Sequence, residues 1–170
     1  MHHIFLLAIV VASLSYHVHA IEGDPFNLKA KPLNWKYCDE EEASKYALQI
    51  SDLKLEPNPP KKGEKVKISV KGKLASDVVA GAKLTYSVKL GIITLAKKTT
   101  DLCDTLASIK DKDIPKCPVK AGELSVTREQ EFPSEAPAGK YSIEAEAVSA
   151  DGKTTLLCIK ADLVIPLIAS

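Results

Sequence analysis

An alternation of apolar and polar residues limits the fold of this chain more than any other feature. Successive side chains of a β-strand point to opposite faces of a sheet, so a period of two predicts a strand with one buried face. The alternation is clearest in four segments, at positions 66–74, 82–92, 141–147 and 157–165. Two weaker candidate strands lie at positions 47–55 and 124–132.

Turn-forming residues separate these segments. Prolines and a glycine at positions 57–63 precede the first strong strand, and residues 137–139 precede the third. Asp151-Gly152 joins the last two strands as a tight hairpin. No segment has a sustained helical period, and only residues 40–45 suit one helical turn. About seven short antiparallel strands with turns between them predict an all-β fold, a sandwich of two sheets.

The first twenty residues have the pattern of a signal peptide. An apolar run at positions 4–14 precedes Val18-His19-Ala20, a small-x-small sequence of the kind that signal peptidase cleaves. We expect residues 1–20 to be removed, residues 21–34 to be a flexible lead-in or propeptide, and residues 35–170 to form one domain. The apolar run is too short to span a bilayer. These features predict a protein that is secreted or resides in an endomembrane lumen, such as a vacuole or lysosome.

Several functional classes lack support in the sequence. All four histidines lie within the predicted leader, so the remaining chain has no histidine to act as a general base or metal ligand. Carboxylates are plentiful, but nothing positions two of them as a catalytic pair. The net charge of +1 gives no electrostatic reason to expect nucleic-acid binding. We therefore predict a protein that is not an enzyme and that uses no metal or cofactor.

The four cysteines favour two disulfides in an oxidising compartment. Three pairings are possible. We favour Cys103–Cys117, which closes a local loop, and Cys38–Cys158, which joins the first and last parts of the domain. A zinc site is disfavoured because no C-x-x-C pair is present.

A set of short motifs occurs in an order that resembles a known family, the ML (MD-2-related lipid-recognition) family. Within it, the chain is most similar to fungal phosphatidylglycerol/phosphatidylinositol transfer proteins, relatives of the NPC2 sterol carriers. The similarity covers roughly residues 35–165. The motifs are Trp35-Lys36-Tyr37-Cys38-Asp39, Leu55-Glu56-Pro57-Asn58-Pro59-Pro60, Asp101-Leu102-Cys103-Asp104, Cys117-Pro118-Val119, Pro137-Ala138-Gly139-Lys140-Tyr141 and Leu157-Cys158-Ile159.

The resemblance implies an immunoglobulin-like sandwich whose sheets are splayed so that one lipid lies in an apolar cavity between them. It also implies the pairings Cys38–Cys158 and Cys103–Cys117. The sterol carriers typically have a third disulfide, which this chain lacks, and this difference favours a phospholipid over a sterol. A charged insert at positions 105–116, inside the short disulfide loop, is expected to shape the mouth of the cavity.

The inner faces of the predicted strands supply the expected lining of the cavity. The partners implied are one phospholipid or sterol and a transient contact with a membrane surface, with the protein as a monomer. A protein-binding sandwich is the alternative from another class; it predicts a filled core and an exposed apolar patch. The expected lining residues are Ile68, Val70, Leu84, Tyr86, Val88, Leu90, Val126, Phe132, Tyr141, Ile143, Ala145, Ile159 and Ala161.

Four lysines are candidates for headgroup contact or membrane docking, since cations near an anionic membrane surface are attracted to it. Outward lysines are also common on solvated strand faces and at strand edges, which they protect from pairing. The four residues are Lys61, Lys62, Lys65 and Lys67.

Overall fold

The computed structural model describes residues 31–167, and these residues form two antiparallel sheets. The predicted leader, and the predicted lead-in up to residue 30, lie outside the described residues. A 3₁₀ turn at Ala43–Lys45 falls where the sequence suited one helical turn. The other elements, in chain order, are β1 (Lys31–Tyr37), β2 (Leu48–Glu56), β3 (Lys65–Leu74), β4 (Lys83–Leu90), β5 (Ile93–Asp101), α1 (Leu102–Ser108), β6 (Gly122–Glu131), β7 (Gly139–Val148) and β8 (Thr155–Ile165).

The predicted two-sheet sandwich is confirmed. One sheet has five strands in the order β1-β8-β7-β4-β5, and the other has three in the order β2-β3-β6. Strands β7 and β8 are antiparallel neighbours on either side of the predicted turn at Asp151-Gly152. No helix among residues 31–167 is long and apolar enough to cross a membrane.

The strand count differs from the prediction because two edge strands, β1 and β5, were not predicted from the sequence. Strands β1 and β5 each pair with only one neighbour in the five-stranded sheet. On β5, Ile93 and Leu95 stay 61% and 48% exposed, so neither face of this strand has to be apolar. Ile92 belongs to the turn rather than to β4, because Gly91 reverses the chain there with a φ of 57°.

Most buried apolar residues of the described chain belong to three separate clusters instead of one core. One surrounds Leu74 and Cys103 near α1. A second contains Tyr46 and Cys158, and a third contains Tyr141 at the opposite end of the sandwich. Between the clusters, the inner-face residues of the central strands are only half-buried. The two sheets are therefore not packed tightly against each other along their whole length.

The sandwich is fastened along the edge formed by β1 and β2. The Tyr37 hydroxyl on β1 accepts a hydrogen bond from the Ile50 backbone N–H at 2.8 Å and donates to the Ile50 carbonyl at 3.4 Å. Its ring packs edge-on against Trp35 and Tyr46, with ring centroids 5.5 and 5.7 Å away. The Cys38–Cys158 disulfide joins the chain just after β1 to β8. We call this side of the sandwich the closed edge.

The opposite side, between β5 and β6, is bridged by α1 and the loop that follows it. The Cys103–Cys117 disulfide ties this loop back to the helix. The Lys116 ammonium donates to the Leu106 and Ile109 carbonyls at 2.6 and 2.5 Å, which caps the C-terminal end of α1. Ile114 turns inward and is 6% exposed. We call this side the open edge, because here a helix and a loop bridge the two sheets and the strands β5 and β6 are not paired with each other.

Asp101 attaches α1 to the sandwich. One carboxylate oxygen accepts from the backbone N–H groups of Cys103 and Asp104, as an N-cap residue does, and the other accepts from Gly81 at 3.1 Å. The Lys83 ammonium nitrogen lies 3.6 Å from the carboxylate oxygen that accepts from Gly81. The hydrogen bond from the Asp104 N–H contributes most to lowering the pKa of Asp101, with smaller contributions from the Cys103 N–H and the charge of Lys83.

Replacing Tyr37 with Phe should weaken the closed edge. The substitution leaves the Ile50 N–H without its partner, so we expect the free energy of unfolding to fall by about 1–3 kcal/mol. Chemical denaturation measures this difference. Tyr46→Phe is the matched control, because its hydroxyl makes no hydrogen bond within residues 31–167 and should matter much less. Equal losses in the two variants would contradict the fastening role of Tyr37.

Replacing Asp101 with Ala should loosen α1 in a pH-dependent way. The folded pKa of Asp101 is lowered, so its stabilising effect is complete above the unfolded pKa of about 4 and is lost as the pH falls through the folded pKa. We expect Asp101→Ala to lower the midpoint of thermal unfolding at pH 6. The difference in midpoint between the variant and the parent protein should become smaller in strong acid. Glu41→Ala, on an exposed turn, is the control. A gap that is constant across this pH range would show that the carboxylate charge is not involved.

Candidate functional site

A cavity of about 360 Å³ lies between the two sheets at the end covered by α1. Its volume is within the range of small-molecule sites, about 300–1,000 Å³. Both sheets, α1 and the disulfide loop line it. The lining residues are Leu48, Ile68, Val70, Leu74, Val78, Leu84, Leu102, Leu106, Ile109, Ile114, Pro115, Val119, Leu124, Val126, Arg128, Ala147, Leu156 and Leu157.

Cross-strand rows explain where the cavity sits on the larger sheet. Antiparallel register places paired residues of β4, β7 and β8 side by side on one face. Leu84, Ala147 and Leu157 form the first row, next to α1, and this row borders the cavity. The next two rows lie deeper between the sheets and are half-buried throughout. They are Tyr86, Ala145 and Ile159, followed by Val88, Ile143 and Ala161.

Four of the residues expected to line the cavity do so: Ile68, Val70, Leu84 and Val126. The structure places the other nine outside its lining. Tyr86, Ala145, Ile159, Val88, Ile143 and Ala161 form the second and third rows. Leu90, Phe132 and Tyr141 pack at the far end of the sandwich with Leu163 and Ile165, as do Val88 and Ile143 from the third row.

Alternation identifies which face of a strand points inward but not how far along the strand a cavity extends. This explains why nine of the expected residues lie outside the lining.

Tyr141 has a structural role in its far-end cluster. Its hydroxyl donates to the Pro137 carbonyl at 2.8 Å, and burial raises the pKa of its side chain.

Several lining residues were not predicted from the sequence. Leu102, Leu106 and Ile109 are spaced i, i+4, i+7, which is the signature of a helix face, but the run is too short to stand out. Asp101 directly before it is an N-cap residue. Arg128 continues the alternation of Leu124 and Val126, so its position on the inner face was readable in principle.

One charged side chain, Arg128, belongs to the cavity lining in the described part of the chain. It is half-buried on β6. Arg128 and Ile109 also line a second, polar pocket of about 580 Å³, together with Glu129 and residues 110–113 of the charged insert. The two spaces therefore adjoin at the open edge, and we call the polar one the mouth.

None of the four candidate lysines lines the cavity or the mouth. Lys61 and Lys62 border a separate pocket with the proline-rich turn and residues 165–167. Lys65 and Lys67 are exposed on β3, where their cross-strand partners are Glu131 and Glu129. The structure thus does not bring these lysines together with the lining residues.

Both disulfides have the pairing favoured from the sequence, with Cα atoms 5.3 Å apart for Cys38–Cys158 and 5.5 Å apart for Cys103–Cys117. Among residues 31–167, one group of three potential metal ligands comes close together, namely Cys38, Cys158 and Glu144. Its two sulfurs are bonded to each other, so it offers no thiolate to a metal ion.

Comparisons with known proteins agree with this architecture. A phosphatidylglycerol/phosphatidylinositol transfer protein from Aspergillus fumigatus is 38% identical over 125 residues, which is 74% of this chain and 67% of that protein. The protein of the same name from Kluyveromyces lactis is 35% identical over 129 residues, 76% of this chain and 72% of its own length.

Two solved structures share the fold. The crystal structure of chicken MD-1 complexed with lipid IVa has a TM-score of 0.56 and 13% identity, and covers 83% of this chain and 99% of its own. The crystal structure of a Niemann-Pick type C2 protein from the Japanese carpenter ant has a TM-score of 0.52 and 16% identity, and covers 76% of this chain and 96% of its own. The family model of the ML domain matches residues 32–165. The chain therefore belongs to the ML domain family.

Proposed function

We propose that this protein binds one phospholipid with its acyl chains between the two sheets and carries it between membranes. The observation that supports this most directly is the cavity, whose lining is aliphatic except for Arg128. The relatives named above are phosphatidylglycerol/phosphatidylinositol transfer proteins, and the MD-1 structure contains lipid IVa. Phosphatidylglycerol and phosphatidylinositol are therefore the cargo that we propose.

The energetics of such a site favour transport over catalysis. Each acyl methylene removed from water contributes about 0.8 kcal/mol, so capture of the chains is strongly favourable. A bilayer offers the same chains nearly the same gain, and exchange between the two needs no covalent step. We accordingly propose a carrier without catalytic residues.

The half-buried rows next to the cavity extend the space available to acyl chains. All six side chains in the second and third rows are half-buried, and of these six only Val88 and Ile143 pack against the far-end cluster. Chains that enter beside α1 can follow these rows toward the far-end cluster. A sandwich used only to bind proteins would have no need of an unfilled interior.

The two disulfides indicate an oxidising compartment, either extracellular or lumenal. We propose that residues 1–20 direct the chain there and are removed. The carrier would act as a monomer that touches the membrane transiently. Lys61, Lys62, Lys65 and Lys67 remain the proposed docking residues, as all four are exposed.

Native mass spectrometry after incubation with mixed liposomes tests the proposed cargo. The liposomes contain phosphatidylglycerol, phosphatidylinositol, phosphatidylcholine and a sterol. We expect one added mass per protein, equal to that of phosphatidylglycerol or phosphatidylinositol. An added sterol mass would identify a sterol carrier instead, and a folded protein without lipid would contradict the carrier function.

Filling the cavity should prevent loading. Val126→Trp places a large ring among the lining residues, and we expect lipid occupancy to fall at least tenfold while both disulfides and the fold remain. Val79→Trp adds the same side chain at a position that is 45% exposed and should load normally. Circular dichroism confirms the fold of each variant. Normal loading of Val126→Trp would show that lipid binds elsewhere.

A further inference from the structure

Arg128 differs in type from every other cation of this chain and in position from every other cation among residues 31–167. It is the chain's only arginine among 23 lysine and arginine residues. It is also half-buried at the junction of the apolar cavity and the mouth, on the inner face of β6 in line with Val126. Lysines occupy the exposed positions of the neighbouring strand β3, so general solubility does not explain a half-buried guanidinium here.

No carboxylate of residues 31–167 lies within 4.0 Å of the Arg128 guanidinium to form an ion pair. The acids that line the mouth are Asp111, Asp113 and Glu129. Asp111 accepts a hydrogen bond from the Asp113 backbone N–H at 3.0 Å, so it is engaged within its own loop. A half-buried guanidinium without an ion-pair partner gains most from an anion that enters with the ligand.

We propose that Arg128 binds the phosphate of the lipid headgroup and thereby sets the orientation of the bound lipid. This inference rests on the proposed function. The planar guanidinium matches two phosphate oxygens through parallel N–H···O bonds, which an ammonium group cannot do. The acyl chains then lie along the aliphatic lining, while the rest of the headgroup lies in the mouth beside Lys110 and Lys112.

The proposal makes a specific statement about selectivity. Arg128 recognises the phosphate that phosphatidylglycerol and phosphatidylinositol share, and therefore separates both from a diacylglycerol with the same chains. It does not separate the two phospholipids from each other. That discrimination belongs to groups in the mouth, where residues 110–113 face the part of the headgroup beyond the phosphate.

The test compares two lipids that differ only in their headgroup. Protein expressed from the full-length chain is incubated with phosphatidylglycerol or with the diacylglycerol of identical chains, each delivered from micelles of a neutral glycoside detergent that contains no phosphate. Native mass spectrometry gives the occupancy. The variants are Arg128→Gln, Arg128→Lys and, as a control that removes one positive charge at the closed edge, Lys36→Gln.

We expect Arg128→Gln to lose phosphatidylglycerol occupancy by roughly 10- to 100-fold, as for a lost charged hydrogen bond. Its diacylglycerol occupancy should stay within about twofold of the parent protein. Arg128→Lys should retain more phosphatidylglycerol than Arg128→Gln, and Lys36→Gln should match the parent protein. Unchanged phosphatidylglycerol occupancy in Arg128→Gln, or equal losses of both lipids, would overturn the assignment.

Two further readouts separate the possible failures. A parent protein that takes up neither lipid would contradict the proposed function itself, whatever the variants do. Thermal unfolding with inorganic phosphate alone checks the source of the anion. We expect inorganic phosphate to leave the unfolding midpoint unchanged. If phosphate raised the midpoint of the parent protein but not that of Arg128→Gln, the site would serve a free anion, and the assignment of Arg128 to a lipid phosphate would be overturned.

Discussion

The structure depends on fastening the two sheets along one edge only. Tyr37 joins β1 to the backbone of β2 at Ile50 in the other sheet, while the Cys38–Cys158 disulfide holds the chain beyond β1 against β8 within the five-stranded sheet. Since nothing equivalent joins β5 to β6 among the described residues, the sheets are free to diverge on that side. The interior then stays lined by half-buried aliphatic side chains instead of closing into a single core. A conventional sandwich packs its inner faces against each other along their whole length.

A diverging sandwich exposes apolar surface unless something covers the gap, and α1 with its disulfide loop provides this cover. The helix is short, so it depends on tertiary anchors more than on helix propensity. Asp101 caps its first turn and also holds Gly81, and the Cys103–Cys117 disulfide ties the same turn to the following loop. Lys116 caps the other end of the helix. The cover is therefore attached at both ends of the helix, and Leu102 and Leu106 supply its cavity-facing side.

The sequence contained most of the information about the fold and less about the site. Period-two alternation identified the strongly paired strands and their inner faces, since burial of one face requires it. Strand β5 was missed because an edge strand with Ile93 and Leu95 exposed obeys no such requirement. Ile68 and Val126 line the cavity, but Ile143 has the same alternating pattern in the sequence and lies two rows from the cavity. Depth along a strand is decided by where α1 covers the gap, and that depends on contacts between residues far apart in the chain.

The division of the site into an aliphatic interior and one cation has a consequence for how a lipid is chosen. Burial of acyl chains provides nearly all of the binding free energy, but every two-chain lipid provides the same amount per methylene. Chain burial therefore captures lipids without discriminating between headgroups. Discrimination requires a polar contact at a fixed depth, where a mismatched ligand leaves a partly buried group without its partner. Arg128 stands at that depth, between Val126 in the cavity and the charged loop at the mouth. One directional contact is sufficient there, because the chains have already supplied the affinity.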